Sequence, residues 1–290
     1  MSPDVLIGQL LRGVLLPAVT SGLVFLALRS FWRSGAAPVA LAAGFLAGFT
    51  GLVGASSYAF PPQTVQQLLP VVAVIALVLG LLETLWRSNP WVLWGVRLVV
   101  LELLLWRVFN PFLNHPFESR RWSLEQAFTN FALTTVVIVV SWWFLDRLFT
   151  QGQVKQSAEG GRLRTVLPAA LLVVMAGSSI GIVLAHSIIM AYLTAALTAA
   201  FGALAVLCLI MPGWRVPVST SPLVILLLAL PWLSVYGSLP VVSVLLLVAA
   251  LGLLWGAARW LGSTTPLWQR FVLPFVLTAL PVMGALWLAA

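Results

Sequence analysis

An all-α, polytopic membrane bundle of about ten helices is the fold class that three features of the chain predict. Residues 34–82, 165–214 and 216–258 contain no Asp, Glu, Lys or Arg. Of the 290 residues, 61% are hydrophobic and 8% charged, where a soluble domain carries about 25% charged residues. Each charge-free run is also about twice the ~20 apolar residues that carry one helix across a hydrocarbon core. Each run therefore reads as two helices joined by an uncharged turn.

In chain order the predicted spans are 5–28, 36–54, 65–86, 91–109, 124–148, 166–185, 188–211, 219–236, 240–259 and 268–288. They form a single membrane-embedded domain over 1–290. Helices are indicated because the runs far exceed the ~10 residues of a barrel strand and do not alternate polar with apolar. Within lipid the backbone must bond to itself, which a helix achieves. Arg29 and Arg33 close the first span, Arg87 the third, Arg147 the fifth, Arg215 the seventh and Arg259 the ninth. The intervening turns 55–64, 186–187 and 237–239 carry no Lys or Arg. The positive-inside rule then places the arginine-bearing loops in the cytoplasm and both termini outside, with the cell membrane as the expected location. Loop 110–123 dissents, since Arg120 and Arg121 would lie outside.

Fourteen Trp residues fall near the predicted span ends, as expected of interfacial belts. Residues 149–165, with Gly152, Gly160, Gly161 and Lys155, read as a flexible cytoplasmic link between two groups of five spans. An odd number of spans per group would invert the second group, as in several transporter folds. The net charge of +8 is scattered over span ends, which argues against a nucleic-acid partner.

Span 91–109 is the most informative, because Arg97 and Glu102 lie inside it. A central charge costs roughly 2.5–3.5 kcal/mol on insertion scales, so these groups need protein partners. Spans three and four form a hairpin around residues 88–89, which brings Glu83 and Arg97 to similar depth. Arg12 falls near the depth of Glu102. Two buried ion pairs, Glu83–Arg97 and Arg12–Glu102, are the expectation, and these four residues are the candidate binding site.

Gly44, Gly48 and Gly51 in the second span form a small-residue face with a G-x-x-x-G motif, which lets helix backbones approach closely. Internal packing is the expected role, with a homodimer or another membrane protein on that face as the alternative. Gly177-Ser178-Ser179-Ile180-Gly181 is a candidate for an unwound break that binds ions. His115 and Glu118 supply two ligands without a third, so no metal site is expected. No Walker A loop, H-E-x-x-H or C-x-x-C occurs, so neither a cofactor nor an enzyme is the leading reading. Three functions remain: a carrier for a small solute, a non-catalytic membrane subunit or scaffold, and an enzyme on lipid-linked substrates using loop 110–123. A carrier predicts a cavity reaching Arg97 or Glu102. A scaffold predicts a filled bundle with the small-residue face outward.

Overall fold

The computed structural model describes residues 3–58, 60–85, 89–114, 122–154, 163–211, 215–234, 239–260 and 266–290. Its described elements are helices: α1 (Pro3–Leu10), a π segment (Leu11–Leu15), α2 (Leu16–Arg29), α3 (Ala36–Val53), α4 (Val65–Leu85), α5 (Pro90–Leu113), α6 (Leu124–Val154), α7 (Leu163–Leu184), α8 (Ile188–Ile210), α9 (Ser221–Ser234), α10 (Val241–Trp260) and α11 (Leu267–Ala289). Because α1, the π segment and α2 run on without a gap, they make one rod, and the described residues form an all-α bundle of ten rods.

Eight of these rods are long and apolar enough to cross a membrane. The other two are α5 and α9. α5 carries Arg97, Glu102 and Arg107 along its length. α9 has 14 residues, about 21 Å at 1.5 Å per residue, which is short of a ~30 Å hydrocarbon core. Of the span expected at 219–236, the described residues form a 3-10 turn and then α9, and 235–236 lie outside the described residues. α9 can be short because protein surrounds it: Leu223 through Leu230 are each at most 2% exposed. A helix walled in by protein need not match the thickness of lipid.

The two sets of five rods interleave. α8 packs on α2 and α3, α9 on α4, and α10 on α6. α7, α10 and α11 form a second packed trio, joined to the first through α8. Outward faces are apolar, with Leu11, Leu15, Leu23, Leu103, Val136, Ile180 and Leu280 all exposed, as befits surfaces whose solvent is hydrocarbon.

The glycine face of α3 points inward. A methyl group on Gly44 would lie 2.8 Å from Ser21 Cβ and 2.9 Å from Ala200 Cβ. One on Gly48 would lie 2.6 Å from Pro17 Cγ and 2.7 Å from Ala196 Cβ. Gly51 is one turn further on, with Leu16 and Arg12 as its neighbours. Ser21 Oγ donates to the Ala200 carbonyl at 3.1 Å across the seam. A homodimer through this face would have to displace α2 and α8.

Two other expectations change. The Gly177–Gly181 segment is not unwound, since α7 runs through it without a break. Ser178 donates back to the Val174 carbonyl at 2.9 Å and Ser179 across to the Ala191 carbonyl at 2.7 Å, so both hydroxyls are satisfied within helices. Residues 149–154 and 163–165 of the expected link are helical, as ends of α6 and α7; 155–162 lie outside the described residues. α7 ends in a left-handed His186 (φ 65°). The amides of His186 and Ser187 bond the Val183 and Ile182 carbonyls, a Schellman cap that makes His186 part of a tight turn.

Candidate functional site

The hairpin register places Glu83, on the last turn of α4, beside Arg97 on α5. Arg97 Nε donates to Glu83 Oε1 at 2.9 Å and Nη2 to the same oxygen at 2.6 Å. Nη1 bonds Asp146 Oδ2 from α6. Asp146 Oδ1 accepts from Ser221 Oγ, the first residue of α9, at 2.7 Å. Trp142 Nε1 in turn donates to Ser221 Oγ at 3.1 Å. Since an indole can only donate, the direction along this chain is fixed: Trp142 to Ser221 to Asp146.

The guanidinium is held from its faces as well as its edges. Arg97 Cζ is 4.8 Å from the centroids of both Trp94 and Trp142, a cation–π clamp. Arg97 is 1% exposed and Glu83 5%. Three rods thus meet on one buried arginine, and α9 joins them through the Ser221–Asp146 bond. Glu83 Oε2 in the cluster and Ser219 Oγ in the 3-10 turn Val218–Thr220 that leads into α9 are buried and have no partner among the described residues. Gly80, one turn before Glu83 on α4, lies directly against the Ser219 carbonyl, leaving no room for a side chain.

Every charge on α5 is met by a neighbour. Besides Arg97, Glu102 Oε1 accepts from Thr135 Oγ1 on α6 at 3.1 Å, and Arg107 donates to the Pro62 carbonyl ahead of α4. The expected Arg12–Glu102 pair does not form. Arg12 sits in the π segment on an exposed face and makes no ion pair with a described residue. Similar depth was not enough, because the rod of Arg12 packs on α3 and α8 while α5 packs on α4 and α6.

Asp146, Trp142, Trp94 and Ser221 were not among the sequence candidates. Asp146 is one of only seven acidic residues and falls inside a predicted span, which was the available signal. Trp142 and Trp232, read as belt residues, are 1% and 5% exposed; Trp142 serves the cluster instead. His115, Glu118, Arg120 and Arg121 lie outside the described residues. Among the described residues, no three His, Cys, Asp or Glu side chains gather as a metal site.

Two cavities open between the rods, and neither has Arg97 or Glu102 in its wall, so the cavity expected of a carrier is not met by either. One of about 300 Å³ opens between α6, α9 and α10, with Thr134 and Trp232 in its apolar wall. The other, a groove of about 710 Å³ between α5 and α6, has Trp91, Trp94, Trp143 and Phe144 in its wall. Trp94 is thus shared, one side on the groove and the other over Arg97. Compared with known proteins, the chain matches no family model, no curated protein and no solved structure; it is an integral membrane protein with an all-α bundle.

Proposed function

We infer that the protein is a membrane carrier for a small solute, in which the Glu83–Arg97–Asp146 cluster takes up the coupling proton or monovalent cation. One observation carries this reading: a buried carboxylate, Glu83, and a partly buried one, Asp146, share a single guanidinium, and Glu83 Oε2 is left without a partner. With all three groups ionised the cluster holds one excess negative charge in a medium where an uncompensated charge costs several kcal/mol. A proton or small cation removes that excess. Ionisable groups inside a membrane bundle are functional candidates by default.

On this reading the arginine-bearing end faces the cytoplasm of a cell membrane and both termini lie outside. The scaffold reading draws on the filled core around α9. A pH step separates the two. Proteoliposomes adsorbed on a solid-supported membrane should give a transient charge displacement on acidification, reduced at least tenfold in Glu83→Gln. A panel of amino acids, sugars and carboxylates then seeks the solute that turns the transient into sustained current. A pH step that moves no charge in the wild-type protein, or one that Glu83→Gln leaves unchanged, overturns the carrier reading in favour of the scaffold.

A further inference from the structure

We propose that an anionic phospholipid binds where α6 and α10 present paired Trp–Arg steps at the arginine-bearing end of the bundle. Both helices carry the same W-x-x-x-R spacing, Trp143 with Arg147 and Trp255 with Arg259. One turn of helix sets each arginine over its own tryptophan, Arg147 Cζ at 5.5 Å and Arg259 Cζ at 5.7 Å from the ring centroids. The two tryptophans touch each other, with centroids 5.3 Å apart. The result is a row of cation, ring, ring, cation across the helix pair.

Phe144 backs this row, 5.3 Å from Trp143 and 5.8 Å from Trp255. It fits because α10 has Gly252 there: a methyl group on that residue would sit 3.1 Å from the Phe144 ring. On its other side the same pair, Trp143 and Phe144, walls the α5–α6 groove of about 710 Å³. An apolar groove is therefore walled by Trp143, the ring on which the exposed Arg147 guanidinium lies.

The charge balance selects the headgroup. Arg147 is exposed and makes no ion pair with a described residue. Its neighbour Asp146 is already committed to Arg97 and Ser221. Stacking on Trp143 leaves the in-plane N–H groups of Arg147 available, and these match a phosphate in bidentate fashion. Basic positions between membrane helices at the cytoplasmic face are where anionic headgroups bind. A zwitterionic lipid would bring its own cation to a site that already has two.

The test uses the full chain in vesicles of phosphatidylcholine with trace spin-labelled phosphatidylglycerol or phosphatidylcholine. Electron paramagnetic resonance then reads the association of each label. Each arginine should favour the anionic lipid by about fivefold. The pair Arg147→Gln with Arg259→Gln should bring the preference close to one, while the corresponding Lys pair should keep part of it. Trp143→Leu should weaken it with charge unchanged. Equal association of the two labels with wild-type protein overturns the proposal. So does an anionic preference that survives the double Gln variant, or that Arg29→Gln removes equally, since either marks a general charge effect. Displacement of the label by millimolar glycerol phosphate would assign the site to a soluble anion instead.

Discussion

Along the seam of α2, α3 and α8, Gly44 and Gly48 bring helix backbones against Pro17, Ser21, Ala196 and Ala200. Around α5 the backbones stay apart, and the long side chain of Arg97 spans the distance to Glu83 and Asp146. In lipid there is no hydrophobic force between helices, since tails are as apolar as leucine. Association must come either from close van der Waals fit or from polar bonds. The first seam uses fit, which is short-ranged and rigid. The second uses a latch of charges, whose strength depends on what each group has bound. The second is the seam that the proposed proton or cation would act on, since it would compete with Arg97 for the carboxylates.

The largest expected effect comes from removing the latch. Arg97→Met leaves Glu83 buried without a counter-ion and Asp146 with only its Ser221 bond, a loss of about 3–5 kcal/mol, read as a collapse of the folded fraction in detergent unfolding. The triple variant Glu83→Gln, Arg97→Met, Asp146→Asn should recover most of that stability, because no charge is then stranded. A wild-type melting profile for Arg97→Met would mean that α5 is held by something else.

Next comes the fitted seam, where the same kind of change in two helices should give opposite signs. Gly48→Val forces atoms into Pro17 and Ala196 and should cost about 1–3 kcal/mol. Gly95→Ala on α5 meets nothing within 4 Å and should be neutral or stabilising by up to about 1 kcal/mol through helix propensity. If both glycines tolerated a larger side chain equally, the contrast between the seams would be lost. The smallest effect is Ser21→Ala, which removes one interhelical bond to the Ala200 carbonyl and should cost about 0.6 kcal/mol. Thermal unfolding in detergent measures all of these on one scale.

Membrane residence was legible from the residues alone, because hydropathy and the scarcity of charge are sums over the chain that do not depend on which helices touch. So was the Glu83–Arg97 contact. The two residues flank one hairpin, and a rise of 1.5 Å per residue fixes their relative depth. The same arithmetic set Arg12 level with Glu102 and misled, since depth says nothing about neighbours. Asp146 and Ser221 stand 49 and 75 positions away from the groups they bond. Their meeting depends on which helix faces which, and that is decided by where glycine, alanine and serine let backbones close up. Composition thus chose the solvent and the hairpin chose one ion pair. Helix packing alone decided that the pair would become a four-helix cluster, that α9 would be buried at its edge, and that Arg12 would be left out.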